Sequence, residues 1–247
     1  MVLTAFRGAL GFLSRLPIGR DDASWDAFRE RPEMFPLAGY AIGFLVALPL
    51  LLPLPTGTVA FAFVMWLYLV TGVNHLDGLA DVGDAAVIHG DPSRRRQVMT
   101  DTTVGVGAVA AVVIVILGVA LAGFTLANAP LTMLGLVIAA EVGAKLGMAI
   151  IACFGTATHQ GMGSALTDHA DPRSVWLPIL VAIPAGALTF PHMAAAVALG
   201  GAILGTVGVM WWAKTRLGGV SGDVFGAGNE IARVVGLHVG VIAWMHF

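Results

Sequence analysis

His75-Leu76-Asp77-Gly78-Leu79-Ala80-Asp81-Val82-Gly83-Asp84 follows an uncharged apolar run, Val59 to Val73, and that junction decides how the chain is read. In a helix, at about 100° per residue, carboxylates at i, i+4 and i+7 fall within an arc of roughly 60° and share one face. Stacked like charges repel, so an exposed helix gains nothing from them. A divalent cation removes the repulsion, and hard oxygen ligands of this kind suit Mg²⁺ or Mn²⁺. A solvated acidic face is the plain alternative. Context favours the metal: the chain has only 15 acidic residues, and three stand at the edge of an apolar segment, where charge is costly and marks function. Asp77, Asp81 and Asp84 are therefore the expected metal ligands.

Composition sets the fold class. Of the 247 residues, 57% are hydrophobic and 11% charged, and the mean hydropathy is +0.87. Soluble domains carry about 25% charged residues. The chain therefore reads as an all-α polytopic integral membrane protein. A net charge of −2 argues against nucleic acid as a partner, since phosphate backbones need a basic surface. The one cysteine, Cys153, excludes an internal disulfide and a cysteine metal cluster.

From the N-terminus, Val2, Leu3, Phe6, Ala9, Leu10 and Leu13 recur at helical spacing, with Arg7 and Arg15 on or near the other side. That pattern suits a helix lying on the membrane surface, and the two arginines argue against a cleaved signal peptide. Residues 1–34 form this interfacial segment, and 35–247 form one transmembrane bundle in a single domain. Seven apolar spans are expected, near Phe35–Leu52, Thr58–Val73, Val104–Leu126, Leu131–Phe154, Val175–Thr189, Met193–Ala213 and Val224–Trp244. The second and fifth are short for a ~30 Å hydrocarbon core, and Pro178 and Pro184 interrupt the fifth. With seven spans every loop cation (Arg94, Arg95, Arg96, Arg173, Lys214, Arg216) joins the N-terminal arginines on one side, which the positive-inside rule reads as cytoplasmic.

This topology gathers the polar motifs on that face: the acid triplet, Asp101 before the third span, residues 156–171, and Leu217-Gly218-Gly219-Val220-Ser221-Gly222-Asp223. They describe a metal-bearing polar pocket whose glycines let backbone amides approach a phosphate. Glu141 and Lys145 lie deeper, at i, i+4 within the fourth span. They are either an internal ion pair that fixes packing or a phosphate-holding lysine with its counter-charge.

At this point the chain resembles the cobalamin-5′-phosphate synthase family. Five motifs in order carry the resemblance: Phe12-Leu13-Ser14-Arg15-Leu16-Pro17; Phe35-Pro36-Leu37-Ala38-Gly39; Thr71-Gly72 followed by His75–Asp84; Asp101 with Gly105; and Leu217-Gly218-Gly219 with Gly222-Asp223 and Gly226-Ala227. There are departures: Thr103 and Thr100 replace basic residues, Arg233 replaces a second glutamate after Glu230, and Thr156-Ala157-Thr158-His159 stands in for an Ala-Arg pair.

The resemblance implies a transferase of the cell membrane, its site facing the cytoplasm, that joins adenosylcobinamide-GDP to α-ribazole or its 5′-phosphate and releases GMP. Asp77, Asp81 and Asp84 would hold Mg²⁺, with Asp223 completing the site, and His75 or Asp101 would accept the hydroxyl proton. Arg15, Lys145, Lys214 and Arg216 would clamp phosphate, helped by the backbone at Gly218, Gly219 and Gly222. The sequence leaves the oligomeric state open. Two other readings compete: another Mg²⁺-dependent membrane phosphotransferase of the CDP-alcohol type, and a cation-coupled transporter with Glu141 and Lys145 on its path. The first lacks the later Asp pair, and the second usually shows inverted repeats and acids at the bilayer midplane.

Overall fold

The computed structural model describes residues 1–246, and every regular element among them is helical. Val2–Leu13 (α1) buries Ala5, Gly8, Ala9, Leu10 and Leu13, a helical stripe, and packs on Asp22–Arg29 (α2). The two approach backbone to backbone, since a Cβ on Gly8 would stand 2.0 Å from the Ser24 carbonyl oxygen. Asp21 starts α2 by accepting the Ser24 N–H at 2.9 Å. Phe12, Trp25, Phe28 and Phe35 interlock above this pair, with ring centroids 4.9 to 5.9 Å apart. Met1, Val2 and Leu3 remain exposed, as on a helix at a membrane surface.

Met34–Ala47 (α3) continues in a 3₁₀ turn to Leu51. Thr56–Thr71 (α4) ends at Gly72, whose φ of +75° a side chain would resist, and the chain bends by 98° into Asn74–Val87 (α5). Asp91 and Pro92 then open the short basic helix Pro92–Met99 (α6). Val106–Leu126 (α7) turns Val109, Val113, Ile114, Leu117, Leu121 and Phe124 outward, an apolar surface suited to lipid.

Leu134–Phe154 (α8) is the axis of the bundle, with 17 of its 21 residues buried. It packs against α3 on one side. Met162–Thr167 (α9) and Trp176–Ala182 (α10) lead to Ala194–Arg216 (α11) and Gly222–His246 (α12), which cover its other sides. Small residues let these backbones close up, the way membrane helices associate. A Cβ on Gly39 would meet Val142 Cα of α8 at 2.9 Å, and one on Gly147 would meet Thr206 Oγ1 of α11 at 2.1 Å.

Four helical segments are long and apolar enough to cross a membrane: Met34–Leu51, Val106–Leu126, Leu131–Phe154 and Ala194–Arg216. The bent pair α4–α5 makes a fifth if it is counted as one broken span. Four or five of the seven expected spans are thus long and apolar enough by this measure, and the other segments fall short of it for three physical reasons. α4 has 16 residues, about 24 Å of helix, before Gly72 breaks it. The fifth expected span divides at Pro184 into α10 and a 3₁₀ turn, Ile183–Ala187. α12 is long, with 25 residues, but carries Asp223, Glu230 and Arg233. The expected second span ends at the 98° bend, and α5 with its carboxylates lies beyond it.

Candidate functional site

α5 is held across the first turns of two other helices. A Cβ on Gly78 would lie 2.7 Å from Asp223 Cα, and one on Gly226 would lie 3.0 Å from His75 Cα, so α5 and α12 are in backbone contact. Gly107 of α7 approaches the Gly83 carbonyl oxygen equally closely, its Cβ position falling 2.5 Å away. Gly78, Leu79, Val82 and Ala85 form the inner face, which leaves the three aspartates on the outer one. Arg95, itself buried, donates to the Ala85 and Ala86 carbonyls and so terminates α5.

Asp77, Asp81, Asp84 and Asp101 line one cavity of about 380 Å³, closed on its far side by Thr100, Thr102 and Thr103. The sequence grouping of these four acids is thereby reproduced in space. Their environments differ. Asp84 Oδ2 accepts the Gly105 N–H and Oδ1 the Ala108 N–H, both at 2.8 Å, so this carboxylate caps α7. Asp101 accepts from the Thr103 N–H at 3.0 Å and from the Thr103 hydroxyl, and these bonds hold its pKa below the usual value. Asp81 moves the other way: partial burial, then the charges of Asp223, Asp77 and Asp84, push it up to about 6.

Asp223 lines an adjoining cavity of about 190 Å³ with Arg96, His159 and Ser221, and Met99 and Thr100 wall both spaces. Its Oδ2 accepts the Ser221 hydroxyl at 3.1 Å. Among the described residues, no cation lies within 4.0 Å of Asp77, Asp81, Asp84 or Asp223. The cluster is therefore uncompensated, and its all-oxygen donor set fits a hard divalent ion. Among the same residues, no three His, Cys, Asp or Glu side chains converge as a ready-made metal cage. Each oxygen of Asp84 already accepts one amide of α7 and keeps a lone pair beside the other acids. Asp77 and Asp81, with Asp223 across the gap, are the carboxylates freest to hold an ion, with Asp84 beside them.

His75 and Arg15 are not in this cavity. They line a separate one, of about 290 Å³, between the N-terminal segment and the start of α5, together with Arg20, Ser14, Gly72 and Asn74. Behind His75 runs a buried polar chain. Asn229 Nδ2 donates to His75 Nδ1 at 3.1 Å and to Glu230 Oε1 at 3.1 Å, and the Tyr68 hydroxyl donates to Glu230 Oε2 at 3.1 Å. Arg233 bonds both Glu230 and Glu141, and Lys145 bonds Glu141.

This network bears on the two readings of Lys145 and carries its ion-pair side. The side chain is 0% exposed, paired with Glu141, and lines none of these cavities. Two carboxylates and two cations balance, as buried charges require. Lys214 and Arg216 lie exposed on the last turn of α11, where they complement the helix dipole, and they too line none of the three. The loop glycines have backbone tasks. Gly218 turns the chain with φ +81°. Gly219 comes so close to Thr156 O that a Cβ would stand 2.4 Å away, beside the Ala157–Val220 bridge, and Gly222 packs on Met162. Sequence reasoning missed Tyr68, Arg20 and the linking role of Arg233, because their partners are remote along the chain. Arg94, Arg95 and Arg96 follow one another on α6. Of these, Arg95 caps α5 and Arg96 is tied to the Leu217 carbonyl, though Arg96 still lines the Asp223 cavity.

Fold and site together define a polytopic membrane protein with carboxylate-lined cavities gathered where α5 meets the first turns of α7 and α12. The family model described as cobalamin-5-phosphate synthase matches residues 5–241, and the chain belongs to that family. It is 49% identical to the adenosylcobinamide-GDP ribazoletransferase of Halorubrum lacusprofundi, with all of both chains covered. It is 44% identical to that of Haloquadratum walsbyi, over 99% of this chain and 100% of the relative. The proteins of that name extend to Deinococcus radiodurans, at 36% identity over 96% of this chain and 84% of the relative. No solved structure matches the chain.

Proposed function

We propose that this protein transfers the cobinamide phosphate of adenosylcobinamide-GDP to α-ribazole or its 5′-phosphate, with release of GMP, at the cytoplasmic face of the cell membrane. The observation that carries the reading is the uncompensated carboxylate cavity on α5, in a chain that aligns end to end with relatives of that name. A hydroxyl of the ribazole ribose attacks the cobinamide-linked phosphorus, its O–P bond forms, and the bond to the GMP oxygen breaks. Such a reaction is governed by positioning and by charge on the transferring and leaving oxygens.

Asp77 and Asp81 would hold Mg²⁺, with Asp223 opposite, and the ion when bound would neutralise the diphosphate and the departing GMP. Asp84 acts through α7, fixing the helix start that walls the cavity. Asp101 suits the proton-accepting role better than His75, because it lines the acid cavity and keeps Oδ2 free of internal bonds. Arg96 lines the Asp223 cavity and supplies a cation there. The transporter alternative loses its main support, since Glu141 and Lys145 are sealed in an internal network.

The test is direct. Purified, detergent-solubilised protein with both substrates and Mg²⁺ should release GMP, and EDTA should stop it. No GMP with either acceptor would refute the activity.

A further inference from the structure

The cavity that holds Arg15 and His75, at the start of α5, is chemically opposite to the acid cavity further along the helix. None of its lining residues is acidic. Among the described residues, neither Arg15 nor Arg20 has a carboxylate within 4.0 Å. Arg20 Nη2 donates to the Arg15 carbonyl at 3.0 Å, and the Arg15 stem lies over Gly72, so the two guanidinium groups are brought to one place by the turn between α1 and α2. The same turn is anchored to α4 through the Arg15 N–H, which donates to the Val70 carbonyl at 2.7 Å.

His75 adds a donor, and the buried network dictates which one. Asn229 presents the same nitrogen to His75 Nδ1 and to the Glu230 carboxylate. Reversing the amide would set its oxygen against that carboxylate, so the orientation is fixed. His75 Nδ1 is thus an acceptor, the hydrogen of the neutral ring sits on Nε2, and the edge left for the cavity is N–H. The first turn of α5 also lines the space with no side-chain cap on its amides. Two unpaired guanidiniums, an imidazole N–H and a helix start make a pocket of donors.

We infer that this cavity binds the phosphate monoester of the phosphorylated acceptor, α-ribazole 5′-phosphate. The inference rests on the proposed activity and adds to it a residue set that favours the phosphorylated acceptor. A monoester carries about −1.5 to −2 charges near neutral pH and calls for forked cations. The diphosphate of the donor suits the acid side instead, where a metal can bridge it. At about 290 Å³ the cavity has room for a phosphate and the sugar that carries it, not for a corrinoid.

The test compares acceptors. Wild type and Arg20→Gln are assayed for GMP release with α-ribazole 5′-phosphate and with α-ribazole, and kcat/KM is taken for each. The preference for the phosphorylated acceptor should fall at least about tenfold in the variant, as for loss of one charge-assisted contact. Arg20→Lys should recover part of it. An equal fall with both acceptors would put the guanidinium on the donor diphosphate or a lipid headgroup and overturn the assignment, as would no change. If wild type releases no GMP at all, the activity fails first. The pocket is then read with inorganic phosphate alone, which should raise the unfolding temperature of wild type and not of Arg15→Gln/Arg20→Gln. Equal shifts would overturn the anion site itself.

Discussion

Glu141→Gln should be among the most damaging single changes in the bundle. Glu141 is 1% exposed and accepts from both Lys145, which is 0% exposed, and Arg233, 1% exposed. With Glu230 the four groups sum to zero charge. Removing one carboxylate leaves a buried excess of one positive charge, with Lys145 stripped of its one ion-pair partner among the described residues. Breaking a buried pair in this way costs roughly 3–5 kcal/mol, because desolvation of the orphan is no longer offset. The double change Glu141→Gln/Lys145→Met removes the orphan as well and should recover most of the loss. Lys145→Met alone should be milder, since Glu141 keeps Arg233. Equilibrium unfolding in mixed detergent, followed by circular dichroism, measures all three. If Glu141→Gln unfolds within about 1 kcal/mol of wild type, or if the double change is the worse of the two, the network does not carry charge balance as argued. A raised KM for adenosylcobinamide-GDP in a well-folded Lys145→Met would restore the phosphate-clamp reading.

Other outcomes follow from α5 and its neighbours. Asp84→Ala removes both bonds that start α7 and should lower stability by about 1–2 kcal/mol, with Asp84→Asn intermediate; equal unfolding midpoints for all three would refute the cap. Gly78→Ala places a methyl 2.7 Å from Asp223 Cα, so it should push α5 off α12 at a cost of about 1–3 kcal/mol; a stable and active variant would refute that contact. The folded pKa of Asp81 is raised to about 6, so its ionisation opposes folding. Metal-free protein should therefore lose stability as pH rises from 4 through 6, and Mg²⁺ should reverse the loss at pH 7 and have less effect below pH 6, where protons compete. A thermal-shift series across that range would settle it; a Mg²⁺ effect independent of pH would count against Asp81 as a ligand.

What the sequence made legible was local. The spacing of Asp77, Asp81 and Asp84 already places them on one face, and the resemblance brings Asp101 to the same site. The helical class follows from composition, and three of the four clear spans follow from uninterrupted apolar runs. What stayed hidden depends on distant partners. Asp84 meets Gly105 and Ala108 only once the chain has doubled back through α6, so its capping of α7, beside the metal role expected of it, cannot be read in one dimension. Glu141 and Lys145 read as an isolated pair until Arg233, 92 residues beyond Glu141, closes the network. His75 sits two residues from Asp77, yet a rotation of about 200° around the helix sends it into the donor-lined cavity. The expected spans depart from long apolar helices where a run is apolar but short, as in α4, or long but charged, as in α12.

The central claim is that the α5 carboxylates are the catalytic centre, and Asp81→Asn tests it most directly. The change keeps size and one oxygen while removing a negative charge from the cavity wall. GMP release from adenosylcobinamide-GDP should fall at least ~10²-fold, with membrane insertion and unfolding temperature near wild type. Wild type should be silent in EDTA and recover with Mg²⁺ or Mn²⁺, while the variant should need far more metal for any residual rate. Normal turnover by Asp81→Asn, or full wild-type activity in EDTA, would contradict the account.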